Sequence, residues 1–155
     1  MLRISKLADY SILIMKALAD APVQLMSAHE LKQKTRLNLP TVSKLLKLLL
    51  EAGLVVSQRG PTGGYRINGV ADEISVAMIV SAIDGPIAMT ECSLTHNTCE
   101  HASQCETKEN WQIVSRVIEE ALGSVSLTAM CGSLINHPLM LKGVKVTSIV
   151  KGESH

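Results

Sequence analysis

The stretch LPTVSKLLKLLLEAGLVVSQRGPTGGYRIN, residues 39–68, changes its hydrophobic period partway along. Up to Glu51 the apolar residues Val42, Leu45, Leu46 and Leu49 return at three- and four-residue intervals, the repeat of one buried helix face. Pro40 falls where a first turn tolerates a missing N–H, and Gly53 stands where a helix is closed, so a helix is expected over about 39–52. The residues from Leu54 to Gln58 and from Tyr65 to Asn68 are short β-prone runs, separated by Arg59-Gly-Pro-Thr-Gly-Gly, a segment dense in turn formers. That is the pattern of a hairpin with a long tip.

Two further helices are expected upstream. Leu7, Tyr10, Ile14 and Leu18 recur at helical spacing behind Ser5, an N-cap residue, and the pattern runs to about Asp20, ahead of Pro22. Ser27 followed by Glu30 is a capping box that opens a short helix to about Thr35. Three helices and a hairpin in the first 70 residues make a winged helix-turn-helix, so the fold class expected is mainly α with a β-hairpin wing. Such a module lays its third helix in the major groove and its wing along the duplex. The candidate DNA contacts are Thr41, Ser43, Lys44 and Lys47 on the helix, with Arg59, Gly60 and Tyr65 on the wing. A helix pair with lysines is also an ordinary core element with a solvated face; the charge distribution argues otherwise. Residues 1–70 carry ten Lys or Arg against four Asp or Glu, and residues 71–155 carry five against ten. A basic front half and an acidic back half point to a polyanion-binding module followed by a part that must avoid the polyanion.

The chain has 155 residues, no Phe, one Trp and two Tyr, so its core must be aliphatic. The opening MLRISKLADYSILIM lacks the succession of a secretory signal, and no apolar run approaches the ~20 residues of a membrane span. The expectation is a cytoplasmic protein without membrane association. In that reducing compartment clustered cysteines are metal ligands or redox thiols sooner than disulfides.

Downstream of the winged helix-turn-helix domain (1–70), a bridging helix is expected over 71–88, in ISVAMIVSAIDGP. Residues 89–106 contain ECSLTHNTCEHASQC, with Cys92, Cys99 and Cys105 at Cys-x6-Cys-x5-Cys spacing. A long helix is expected over 107–132, with Trp111, Val114, Ile118, Ala121, Leu122 and Val125 as its apolar seam. Because helix-turn-helix operators are usually two-fold symmetric, that seam is read as the contact of a homodimer on a pseudo-palindromic double-stranded DNA operator. No structure is assigned to the tail, 133–155.

The three thiolates suit an iron-sulfur cluster or zinc, and histidine or carboxylate can complete either set. Zinc sites favour close Cys-x2-to-4-Cys pairs, which are missing here, and three metal-free thiols acting as a redox switch are the third reading. His96 and His101 are read as loop histidines, and Cys131 as a small buried residue.

The Arg59-Gly-Pro-Thr-Gly-Gly-Tyr-Arg wing, the opening ISKLADYSILIM, the PTVSKLLKLL helix and the three cysteines together resemble the IscR/NsrR family of bacterial winged-helix regulators, over about residues 1–130. Within it the likeness is greatest to regulators of the SUF iron-sulfur assembly operon. The resemblance implies a homodimer crossed by a long helix and an iron-sulfur cluster, 2Fe-2S or 4Fe-4S, on Cys92, Cys99 and Cys105. One branch adds a histidine three residues after the last cysteine, where this chain has Lys108, which offers no lone pair. Another branch takes an acidic residue from the start of the first helix of the partner subunit, and Asp9 falls on that position. The implied function is a cluster-sensing transcriptional repressor of cluster-assembly genes. The competing class is an iron-sulfur carrier or redox partner that binds no DNA. No nucleophile-base pair, phosphate loop or cofactor fingerprint supports an enzyme.

Overall fold

The computed structural model describes residues 4–90 and 105–132, together with Leu134 and Pro138. Its first helix, α1 (Lys6–Ala19), starts where the Ser5 hydroxyl accepts the Ala8 N–H at 3.0 Å. At the start of α2 (Ala28–Thr35) the capping box is reciprocal: the Glu30 N–H donates to Ser27 Oγ at 3.2 Å, and the Ser27 N–H donates to Glu30 Oε2 at 2.7 Å. The reciprocal bonds satisfy two otherwise orphaned donors. The Ser27 N–H, together with the Ser27 hydroxyl donating to Glu30 Oε2 at 2.8 Å, also holds the Glu30 carboxyl below the usual carboxylate range.

Between α2 and α3 (Leu39–Glu51) the chain turns at Arg36, whose φ of 59° and ψ of 20° lie in the left-handed region. For a residue with a Cβ this costs about 1 kcal/mol or more. Asn38 caps α3 by accepting the Thr41 N–H at 2.8 Å. The expected stripe, Val42, Leu45, Leu46 and Leu49, is fully buried. Each of these leucines gains about 1.5–3 kcal/mol from leaving water.

After Gly53, at φ 73°, the chain enters the hairpin of β1 (Val55–Gln58) and β2 (Gly64–Ile67), with Val55 opposite Ile67 and Gln58 opposite Gly64. The hairpin is stitched to the segment before α2. The Tyr65 N–H donates to Met26 O at 2.8 Å, and the Met26 N–H donates to Tyr65 O at 2.9 Å. Gly64 is glycine because of that contact, since a Cβ there would lie 2.7 Å from both the carbonyl carbon and oxygen of Met26. Gly64→Ala is therefore expected to loosen the wing from α2 and destabilise the protein by about 1–3 kcal/mol. Thermal melting followed by circular dichroism reads this as a lowered Tm; an unchanged Tm means the Met26 contact does not constrain the wing.

The bridging helix α4 (Val76–Asp84) is capped by Ser75, and α5 (Lys108–Gly123) and α6 (Leu127–Cys131) follow. The helix expected over 107–132 is thus two helices. Val125 leaves the helical path because its carbonyl accepts the Val76 N–H at 2.8 Å, while the Leu127 N–H donates to Ile74 O at 2.7 Å. That short antiparallel bridge between Ser75 and Ser126 competes with helix continuation. Ser126 then caps α6 through the Ala129 N–H at 3.1 Å. One hydrophobic cluster runs from Ile14, Met15 and Leu18 of α1, through Leu31, Leu46 and Ile79, to Leu127 of α6. The helix-turn-helix and the elements after the wing therefore share a core, with α1 packed on α2, α3, α4, α6 and β2.

Candidate nucleic-acid interface and thiol site

On the outer side of α3, Ser43, Lys44 and Lys47 are exposed, and Thr41 is half-buried with its N–H committed to Asn38. Lys47 Nζ lies 3.9 Å from Glu51 Oε1 one turn on, but both side chains are well exposed. An ion pair of that kind contributes well under about 1 kcal/mol, so it leaves Lys47 free to exchange Glu51 for a phosphate. At the wing tip Arg59 and Gly60 are exposed, and Gly60 has φ 124°, a conformation that favours glycine. Tyr65 is placed differently from the other predicted contacts. It is half-buried against the core and its backbone carries the bridge to Met26, so it also braces the wing. Ser27, Gln58, Arg59, Gly60 and Tyr65 border an open hollow of about 480 Å³ between the hairpin and the start of α2.

Of the three cysteines singled out, Cys105 is described and Cys92 and Cys99 lie outside the described residues, as do His96 and His101. Cys105 sits just before α5, half-buried, with Sγ 3.3 Å from Thr107 Oγ1. That hydrogen bond, aided by backbone N–H groups and the Lys108 ammonium, holds its thiol below the usual thiol range. A metal-binding cysteine must be a thiolate, so this environment fits the donor chemistry of a cluster. Cys131 is half-buried at the end of α6, and burial pushes its thiol up. Its environment suits a packing role.

Asp9 lies in the first turn of α1, exposed, and its carboxylate makes no hydrogen bond or ion pair among the described residues. It borders a hollow of about 370 Å³ whose apolar walls include Ile12, Val76, Leu122, Val125 and Met130. Among the described residues no three His, Cys, Asp or Glu come together as a metal site. A surface carboxylate without a partner among the described residues has its oxygen lone pairs available to a cation or a hydrogen-bond donor.

Two side-chain pairings that sequence patterns did not disclose tie these parts together. The Ser5 hydroxyl donates to Asp84 Oδ1 at 2.6 Å and the Ser5 N–H donates to Asp84 Oδ2 at 3.3 Å, joining the start of α1 to the end of α4. Ser115, buried on α5, accepts the Met89 N–H at 2.9 Å, fixing α5 against the chain that leads into the cysteine segment. Neither pairing has a local signal, because the partners are far apart in sequence.

On α5 the inward side is Ser115, Ile118 and Leu122. Trp111, Ile113, Val114 and Val117 are 41%, 54%, 40% and 58% exposed. The apolar seam expected from sequence is therefore corrected: Ile118 and Leu122 face their own chain, Val125 lies beyond the helix and is buried, and Ile113 and Val117 are the most exposed apolar residues of α5. No described helix is long and apolar enough to cross a membrane.

The profile of the Rrf2 family, described as iron-dependent transcriptional regulator, matches residues 4–133. The chain is 30% identical over 130 residues to the HTH-type transcriptional regulator IscR of Photobacterium profundum, covering 81% of this chain and 73% of that one. Among solved structures, CymR, the global cysteine regulator of B. subtilis, superposes with a TM-score of 0.65 at 29% identity, covering 84% of this chain and 96% of that one. IscR of T. potens superposes with a TM-score of 0.62, also at 29% identity, covering 84% of this chain and 86% of that one.

Proposed function

The chain belongs to the Rrf2 family of helix-turn-helix transcriptional regulators, and is not an enzyme; from that premise we propose that it is a dimeric cytoplasmic repressor whose grip on its operator reports the supply of an iron-sulfur cluster. Cys92, Cys99 and Cys105 of one subunit hold the cluster and Asp9 of the other completes it. The genes controlled are those of iron-sulfur cluster assembly, as in the SUF regulators the sequence resembles. Family membership disfavours the carrier reading, which had no place for a recognition helix.

The observation that carries the proposal is the position of Asp9. It is a carboxylate on α1 without a partner among the described residues, and α1 packs on both helices of the helix-turn-helix, on β2 and on α4. Its N-cap is fastened to Asp84. A pull on the first turn of α1 is therefore felt by α3. In a dimer the two recognition helices must match half-sites about 34–36 Å apart, so a small rotation of each head changes affinity. The cluster, when bound, supplies the tie between chains; Ser5, Asp84 and the α1 packing transmit it.

A metal-free thiol switch is the second reading, favoured by the lowered Cys105 thiol and by the likeness to a cysteine regulator. Anaerobic purification separates the two. The cluster reading expects a coloured protein with iron and acid-labile sulfide, and binding to its own upstream DNA that weakens steeply with salt. A colourless protein that still binds that DNA sinks cluster sensing and leaves the thiol switch.

A further inference from the structure

Five described residues hold a backbone φ in the left-handed region, and four of them are Gly53, Gly60, Gly69 and Gly85. The fifth is Arg36, at φ 59°. A glycine would make the same turn between α2 and α3 without crowding its Cβ, so backbone geometry does not account for an arginine here. Its side chain makes no ion pair among the described residues, and the residue is exposed. The sequence around it is basic: residues 31–50 hold Lys32, Lys34, Arg36, Lys44 and Lys47 and no Asp or Glu, and Asp20 of α1, which borders a hollow with Lys34 and Thr35, is already paired with Lys16 at 3.2 Å. Arg36 also stands just ahead of the Asn38 cap, beside the end of α3 that carries Thr41, Ser43 and Lys44.

A strained residue that keeps a long charged side chain at the edge of a binding face points to a use for the charge. We infer that Arg36 is a phosphate anchor, its guanidinium clamping the sugar-phosphate backbone beside the groove that receives the start of α3. The planar fork of donors suits a phosphate oxygen pair better than an ammonium does. The contact positions α3 without reading bases, so it strengthens every sequence alike. This rests on the reading of α3 as the recognition helix. The competing role is structural: a cation at the end of α2 facing its last carbonyls.

The two roles predict opposite results for Arg36→Gly and Arg36→Asn, both of which suit the left-handed backbone. With an anchor, the Tm of Arg36→Gly holds or rises, while affinity for a fluorescent mixed-sequence duplex of about 30 base pairs falls roughly tenfold at low salt. The plot of log affinity against log salt becomes shallower by about one for each subunit engaged. Arg36→Asn shows the same losses. An unchanged affinity and slope in both variants overturns the inference, as does a lowered Tm with an unchanged slope, which marks a helix cap. If the parent protein shows no salt-dependent duplex binding, the DNA-binding reading fails and the anchor with it; a binding parent with unaltered variants removes the anchor alone.

Discussion

Replacing Cys92, Cys99 and Cys105 together with alanine is expected to give a protein that folds, purifies anaerobically without a visible chromophore, and contains neither iron nor sulfide. Operator binding then changes by about tenfold or more, since a coupling of 1–3 kcal/mol between sites is the usual range. The loss of the cluster is complete because each thiolate supplies a ligand that alanine cannot replace. The described core is spared at Cys105, which is joined to its surroundings by the Thr107 contact and takes no part in the continuous core; a circular-dichroism spectrum like the parent's checks the fold of the triple variant. Cys131→Ala is the comparator. Its thiol, pushed up by burial, is poorly suited to be a ligand, so that variant keeps its colour. Asp9→Ala falls between them: the three cysteines still capture the cluster, but its spectrum shifts and it is lost sooner in air. Colour retained in the triple alanine variant sinks the ligand assignment. An unperturbed spectrum and lifetime in Asp9→Ala removes the carboxylate from the set.

The helix starts were legible because their signals are local: Ser5, the Ser27–Glu30 pair and Pro40 each act within one turn, and the Asn38 cap is the one the structure adds. The hairpin was legible for a similar reason, its tip being written in Arg59-Gly-Pro-Thr-Gly-Gly. What failed to show were effects of distant partners. The break after α5 is fixed by pairing of residues 125–127 with residues 74–76, a distant partner that the nearby Gly123 and Ser126 do not reveal. The bridge from the Tyr65 backbone to Met26, which adds a supporting role to its place in the wing, is likewise a pairing with a distant partner. Arg36 passed unnoticed because residue type gives no hint of a left-handed backbone when the residue is not glycine or asparagine. The candidate cluster site was legible only in part. The cysteine spacing marked a metal or redox segment, but a fourth donor from a second chain has no signature in the spacing of the first, and Asp9 came from the family resemblance.

Ile113→Glu with Val117→Glu is expected to convert the proposed dimer into monomers of about 16.7 kDa by light scattering and to weaken operator binding by about 10²- to 10⁴-fold. The two residues lie one turn apart on the outer side of α5, with Trp111 and Val114 alongside. In a two-fold interface each residue is used twice, so the four side chains contribute eight to one seam. Covering them gives on the order of 10 kcal/mol before the cost of association, which is the scale a stable dimer needs. Glutamates at 113 and 117 place four carboxylates in that seam, and burying unpaired charge reverses its sign. The monomer fold is spared, because side chains that are 54% and 58% exposed make few contacts within the chain, and such surface changes stay within about 0.5 kcal/mol. Operator affinity collapses even so, since a lone head holds one half-site and loses the effective concentration that its mate provides. Glu119→Ala, on the polar side of the same helix, leaves both mass and binding as they were. A double variant that keeps the dimer mass would place the subunit contact elsewhere, and with it the geometry by which Asp9 of one chain meets the cysteines of the other.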